Sequence, residues 1–163
     1  MTSEPHPTPA LAAAARRRRE LREALVAFED ALASPVRDRA AWHAEVTDAL
    51  EALGHAFEDH VVVTEAPGGL YEEMGARSPH LGTKANRLRE EHPVITAALI
   101  ESATRLAAPP AADADADAVA ADADAAREEM QRLMGRIVRH RQHGADLVWE
   151  AYAIDIGDIG DAG

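Results

Sequence analysis

Apolar residues recur along the chain at intervals of three and four, the spacing that places them on one face of an α-helix. Prolines and glycines interrupt this pattern at Ser34-Pro35, at Pro67-Gly68-Gly69, at Ser78-Pro79 and at Pro109-Pro110, and four helical segments lie between these breaks and the chain ends. The predicted helices run from about Ala10 to Ala33, Pro35 to Glu65, Lys84 to Leu106 and Ala121 to Ile154. Four amphipathic helices predict an all-α fold, and an up-down-up-down four-helix bundle is the simplest packing.

Local signals refine these boundaries. Ser34 is a predicted cap for the second helix with Pro35 as its opening residue, and Pro93 is expected to bend the third helix or delay its start. The bundle then occupies residues 10–156. We expect a flexible Pro-rich segment at 1–9, a solvated Ala/Asp-rich linker at 107–121, where the composition cannot bury a core, and a flexible tail at 157–163.

The composition limits the donor atoms available to a metal and the kinds of binding partner to expect. The 163 residues include 29 acidic and 17 basic ones, a net charge of −12 that would repel a nucleic acid. The absence of cysteine leaves only nitrogen and oxygen donors for a metal. No apolar run is long enough for a membrane span, and the N-terminal residues do not follow the order of a secretory signal. We therefore expect a cytoplasmic protein without nucleic-acid or membrane partners.

Three of the eight histidines fall on the apolar faces of predicted helices. On helical wheels at about 100° per residue, His60, His92 and His140 each lie at the centre of a stripe, on the second, third and fourth helix. His60 and His92 also lie at similar heights in an antiparallel bundle, whereas His140 is offset by roughly 6 Å. Neutral imidazoles are frequent metal ligands and are costly to bury without partners. The pattern predicts a metal site in the core.

The remaining polar candidates have simpler interpretations. We interpret His43 as a boundary residue, His55 as exposed, and the side formed by His143, Asp146 and Glu150 as solvated rather than metal-binding. The basic run Arg16 to Arg19 is interpreted as a solvated helix start, with binding to an acidic partner as the alternative. Tyr71 and Tyr152 are expected to pack in the core or to hydrogen-bond a ligand. No nucleophile or paired-carboxylate motif is present, so no catalytic residue is assigned.

Three short segments resemble the hemerythrin-like family of HHE cation-binding bundles. They are Phe57-Glu58-Asp59-His60 with Thr64-Glu65 and Pro67, Leu88-Arg89-Glu90-Glu91-His92-Pro93, and His140-Arg141-Gln142-His143 with Leu147. The resemblance covers the chain from about Leu11 to Ile154. It implies a non-haem iron site, often dinuclear with carboxylate bridges, and roles in oxygen binding, in sensing of oxygen or nitric oxide, or in iron handling.

The chain departs from that pattern at the positions that would complete a dinuclear site. The family commonly places a second ligand four residues after a core histidine, and here those positions hold Thr64, Thr96 and Gly144. Glu65 is the predicted acidic supplement, provided that the helix unwinds near Pro67. The first helix contributes no histidine from its regular part, and His6 and Glu29 are the remaining candidates there.

Three hypotheses about function follow. The leading one is a hemerythrin-like metal-binding protein in which His60, His92, His140 and Glu65 hold mononuclear or dinuclear non-haem iron and a small diatomic molecule is the ligand. The second is a metal-free scaffold or interaction module that keeps the bundle. The third is a mononuclear three-histidine metalloenzyme, resembling the DinB-like fold, with zinc as the metal.

Overall fold

The structure, a computed structural model, describes residues 7–35, 39–108 and 115–157. Its helices are α1 (Pro9–Ala33), α2 (Arg39–Glu65), α3 (Leu70–Arg77), α4 (Pro79–Ala107) and α5 (Ala116–Gly157). Those three ranges contain no strand, so the predicted all-α fold is confirmed. The four long helices correspond to the four predicted ones, and the short α3 was not predicted.

Side-chain caps and prolines determine where two of the helices begin. Thr8 accepts a hydrogen bond from the backbone N–H of Leu11 at 3.1 Å, and Pro9 occupies the first position of α1. Ser78 caps α4 in the same way by accepting from the N–H of His80 at 3.2 Å, with Pro79 at the first position. Proline suits that position because its missing N–H would have no partner inside the helix.

The predicted stop at Pro67-Gly68-Gly69 is confirmed. Gly68 has a φ of +71°, a left-handed conformation that glycine adopts without the steric cost of a side chain. A Cβ on Gly69 would lie 2.7 Å from the carbonyl oxygen of Ala66 and 2.8 Å from that of Val63. The chain can therefore fold back from α2 into α3 within four residues.

Two predicted features near prolines are wrong. The backbone N–H of Ser34 donates to the carbonyls of Ala31 and Asp30, so this residue ends α1 rather than capping the next helix. Pro35 lies outside the helices, α2 is described from Arg39, and residues 36–38 lie outside the described part. The third long helix, α4, begins at Pro79 and continues through Pro93, so of the two effects predicted for Pro93, a bend or a delayed start, the delayed start is wrong. Pro93 is exposed, and its ring therefore displaces no core side chain.

The last helix begins at Ala116, earlier than the predicted Ala121. The Asp115 carboxylate accepts a hydrogen bond from the N–H of Ala118 at 2.8 Å, and alanine has the highest intrinsic helix propensity. Arg105 on α4 holds this part of α5 through Asp122 at 2.9 Å and Glu129 at 3.6 Å. The predicted linker is thus helical over 116–121, whereas residues 109–114 lie outside the described part, as do 1–6 and 158–163 of the predicted flexible ends.

The buried apolar residues form two clusters. The larger one joins α1, α2, α4 and α5 around Phe28, Leu53, Phe57 and Ile137. The smaller one joins α3 to α1, α4 and α5 around Tyr71 and Met74. Within the described ranges, no helix combines the length and the apolar character needed to cross a membrane.

Candidate metal centre

His60, His92 and His140 meet between the two apolar clusters, as their positions on the helical wheels predicted. Their exposed fractions are 7%, 2% and 2%, and one comes from each of α2, α4 and α5. The Nε2 atom of His140 lies 3.2 Å from the Nε2 atom of His60 and 3.2 Å from that of His92. Two nitrogens bound to one tetrahedral metal are about 3.3 Å apart when each metal–nitrogen bond is about 2.0–2.1 Å. The spacing therefore suits a shared metal ion.

Aromatic side chains from both clusters enclose the three imidazoles. The ring of Phe57 lies 5.8–6.0 Å from each imidazole, centroid to centroid. The ring of Tyr71 stacks on His92 at 5.7 Å, and its hydroxyl lies 3.3 Å from the Nε2 of His92. These contacts restrict the rotation of the imidazoles.

Carboxylates hold the other nitrogen of two histidines. Glu65 Oε1 accepts from the Nδ1 of His92 at 2.5 Å, and Glu91 Oε2 accepts from the Nδ1 of His140 at 2.8 Å. A proton on Nδ1 leaves a lone pair on Nε2, and these lone pairs point toward the shared centre. Metal-binding histidines commonly have such a carboxylate on the far nitrogen, which fixes the tautomer and makes the ligand more basic.

This tautomer prevents a hydrogen bond between the Nε2 atoms of His92 and His140. Without a metal, Tyr71 can donate to His92 and His60 can donate to His140. That arrangement leaves the Nδ1 of His60 as a buried acceptor, and among the described residues it has no hydrogen-bond partner. A cation at the centre would instead face three nitrogen lone pairs.

The surroundings keep the imidazoles neutral. Burial, with a smaller contribution from the neighbouring His140 and His92, lowers the pKa of His60 to about 3. Burial also lowers the pKa values of His92 and His140, although Glu65 and Glu91 oppose that shift. Metal binding needs deprotonated nitrogens, so at neutral pH the site would lose little affinity to competing protons.

The structure brings three of the four predicted ligands together and places the fourth, Glu65, behind one of them. In the described part of the chain, the candidate ligands within 4.8 Å of one another are His60, His92 and His140. Glu65 is the last residue of α2 and reaches Nδ1 of His92 without any unwinding before it. In this arrangement its carboxylate orients His92.

Glu91 is a residue of the candidate centre that the sequence did not predict. It directly precedes His92, which puts it about 100° around α4 and on the flank toward α5. There it contacts His140, which is 49 positions away in the chain. Its adjacency to a central histidine was the available signal, but the choice of partner depends on how α4 and α5 pack.

The other candidates stand apart from the centre. His55 is exposed as predicted, and His143 is also exposed, 3.6 Å from Glu91. His43 is half-buried and contacts the carbonyl of Leu106, and Glu29 is exposed. His6 lies outside the described residues. Thr64 and Thr96 lie four residues after His60 and His92. Thr64 is buried and donates a hydrogen bond to the carbonyl of His60, whereas Thr96 is exposed.

Comparison with models of protein families, with curated proteins and with solved structures gave no match. The likeness to hemerythrin-like bundles therefore depends on the short sequence motifs quoted above.

Proposed function

We propose that this protein binds one first-row transition-metal ion, with non-haem iron as the expected metal, through the Nε2 atoms of His60, His92 and His140. The observation that carries the proposal is the convergence of three buried Nε2 atoms while carboxylates hold two of the Nδ1 atoms. We further propose that the helices form a hemerythrin-like up-down-up-down bundle around this ion.

A single ion fits the side chains better than a pair does. A dinuclear centre needs more donors, and the positions four residues after the histidines offer Thr64, Thr96 and Gly144 instead of histidine or glutamate. Three imidazoles on one side of an ion leave further coordination positions open, as binding of an external ligand requires. We propose that a small molecule such as oxygen or nitric oxide binds there, in a binding, sensing or iron-handling role.

The test is the metal content of the protein and its dependence on single histidines. Protein loaded with Fe(II) under anaerobic conditions, and separately with Zn(II) or Co(II), is expected to hold about one equivalent. His92→Ala should lower the affinity about tenfold or more, as loss of a ligand costs at least as much as loss of a supporting residue. The matched control is His55→Ala, because His55 is exposed and is not part of the histidine cluster.

The outcomes separate the three hypotheses. One equivalent of iron with a charge-transfer absorption band supports the hemerythrin-like proposal, and stoichiometric zinc with no retention of iron supports the three-histidine zinc enzyme. Failure to retain any transition metal, or equal retention by the His92 and His55 variants, would favour the metal-free bundle. In that case hydrogen bonds from Tyr71 and His60 would satisfy the Nε2 atoms of His92 and His140.

A further inference from the structure

An open apolar groove runs between α2 and α4, with a volume of about 730 Å³. The buried side chains of Leu50, Phe57 and Leu99 line its floor. Val62 lines it from α2 and Ile100 from α4. None of the three candidate metal ligands lines this groove, so it is distinct from the candidate metal centre.

The groove presents apolar side chains to the solvent. Val62 and Ile100 are 61% and 62% exposed, the largest fractions among the exposed aliphatic side chains of the described residues. Single exposed apolar residues are common on protein surfaces, but these two line the same groove above a buried apolar floor and so form a patch. Such patches mark sites where another molecule binds.

Gly54 keeps the middle of the groove open. It lies in the interior of α2, where glycine is less favourable than alanine because it loses more conformational freedom on folding. A Cβ at this position would have no atom within 4 Å, so the packing of the described chain does not require a glycine here. The missing side chain leaves room for a ligand to approach α2 closely.

Carboxylates lie along the α2 edge of the groove. Glu51 and Glu58 are both exposed and both line it, and their separation along the helix is about 10.5 Å, or two turns. No lysine or arginine is among the described residues that line the groove. An apolar floor with an acidic edge is complementary to a ligand that is apolar on one side and basic along its edge.

The groove has the length of a short helix. Its lining residues on α2 extend from Thr47 to Val62, which is about 22 Å at 1.5 Å per residue. An amphipathic helix of about four turns has the same length and places apolar side chains at intervals of three and four on one face. Basic residues two turns apart on such a helix have the same spacing as Glu51 and Glu58.

Charge and length decide which occupant suits the groove best. A second copy of this chain also carries a net charge of −12, so like charges would oppose its docking on the acidic edge. The segments of this sequence that lie outside the described ranges have at most six residues each, too few for four helical turns. A basic helix from another protein has both the required charge and the required length.

We propose that the groove between α2 and α4 binds a basic amphipathic helix of a partner protein. The apolar side chains of that helix cover Val62 and Ile100 and fill the space over Gly54, and its lysines or arginines pair with Glu51 and Glu58. The apolar contacts supply most of the affinity because exposed ion pairs contribute little, whereas the charges select and orient the partner. The inference goes beyond the proposed function and does not depend on a bound metal.

The probe for the test is a fluorescein-labelled synthetic peptide of about 16 residues, with leucine at helical intervals of three and four and two lysines two turns apart. A matched peptide carries glutamate in place of both lysines. Fluorescence anisotropy with the full metal-free chain should show saturable binding of the lysine peptide at one site. The glutamate peptide should bind at least about tenfold more weakly.

Two substitutions test whether the peptide lies in the groove. Ile100→Asp puts a carboxylate under the apolar face of the peptide and should weaken binding about tenfold or more. Val138→Asp is the matched control, because Val138 is exposed on α5, does not line the groove and introduces the same charge. Gly54→Leu adds no charge and should also weaken binding, since its side chain occupies the open space in the groove.

A charge reversal tests the acidic edge. Protein with Glu51→Lys and Glu58→Lys should prefer the glutamate peptide to the lysine peptide. Protein with Glu23→Lys and Asp30→Lys is the matched control, because these exposed acidic residues have the same spacing on α1 and do not line the groove. It should keep the preference for the lysine peptide.

Weaker binding by the Ile100 and Gly54 variants, together with the reversed preference, supports the inference whatever the metal content. No saturable binding, equal affinities for the Ile100 and Val138 variants, or unchanged binding by Gly54→Leu protein overturns it. The inference is also overturned if both charge-reversed proteins change their preference equally, because the net charge alone would then select the peptide. Sedimentation of the protein as a dimer that Ile100→Asp dissociates would assign the groove to a second copy instead.

Discussion

At the scale of single residues, the centre is distinguished by the different contacts that the two nitrogens of each imidazole make. Glu65 and Glu91 each accept from an Nδ1, so His92 and His140 present unprotonated Nε2 atoms to the same point. His60 has no carboxylate, and its Nδ1 is buried without a hydrogen-bond partner among the described residues. The inward positions of the histidines followed from helical periodicity, because the angle around a helix is a local property. The pairing of Glu91 with His140 joins two helices and could not be read from either one.

Loss of the Glu91 carboxylate is expected to weaken metal binding. Glu91→Ala removes the acceptor for Nδ1 of His140, so the ring is free to turn and its Nε2 becomes less basic. The dissociation constant for Zn(II) or Fe(II) should rise about 10- to 100-fold, measured by competition with a chelator of known affinity. Glu90→Ala is the control, since Glu90 is the exposed neighbour on the same helix. Equal affinities for these two variants would show that the carboxylate does not support the centre.

The low pKa of His60 predicts acid sensitivity of the metal-free protein. The folded value is about 3, below the value of about 6.5 in an unfolded chain, so only the unfolded state takes up this proton between those pH values. The contribution of His60 to stability is therefore fully present above about pH 6.5 and is lost as the pH falls toward 3. Between pH 7 and pH 5 the loss is about 2 kcal/mol in the free energy of unfolding.

Urea denaturation of the metal-free protein at pH 7 and pH 5 measures this effect. Protein carrying His60→Leu should lose about 2 kcal/mol less than the unsubstituted chain over that interval. His55→Ala, at an exposed position, should leave the pH dependence unchanged. An identical pH dependence in the His60→Leu protein would mean that His60 is not held neutral in the folded state.

At the scale of helices, the sequence predicted the existence of the four long helices better than their ends. Ser78-Pro79 was interpreted as a break because proline interrupts a helix, but the same pair also forms a cap and a first position. Asp115 caps α5 in a similar way, within the Ala/Asp-rich segment that is expected to be a solvated linker. The eight-residue α3 is too short to show a periodic pattern, although it supplies Tyr71 to the centre. Boundaries depend on single hydrogen bonds, which periodicity does not register.

Pro93 provides a test of how α4 tolerates a proline in its interior. Proline removes the hydrogen bond to the carbonyl four residues earlier and crowds that carbonyl, a cost of about 3 kcal/mol that is partly offset by a stiffer unfolded chain. Pro93→Ala should therefore raise the free energy of unfolding by about 2 kcal/mol, measured by urea denaturation. The neighbouring exposed Val94→Ala should change it little. A destabilised Pro93→Ala protein would indicate that the surrounding helices require the geometry that the proline imposes.

At the scale of the whole molecule, the histidines lie between two apolar clusters that, among the described residues, have no member in common. Phe57 belongs to the larger cluster and Tyr71 to the smaller one, and both contact the imidazoles. The sequence placed His140 about 6 Å from the height of the other two, on the assumption of ideal antiparallel helices. The long imidazole side chains and the actual helix packing remove that offset, so that the Nε2 atoms approach to 3.2 Å.

Because one histidine comes from each of α2, α4 and α5, a bound metal should stabilise the fold as a whole. At a free metal concentration of 100 times the dissociation constant, the free energy of unfolding should rise by about 2.7 kcal/mol, provided that the unfolded chain does not bind the ion. Thermal denaturation with and without Zn(II), followed by removal of the ion with a chelator, measures the gain and its reversal. His92→Ala should lose the gain, and His55→Ala should keep it. Metal that binds tightly without raising the unfolding temperature would have to be held outside the three helices.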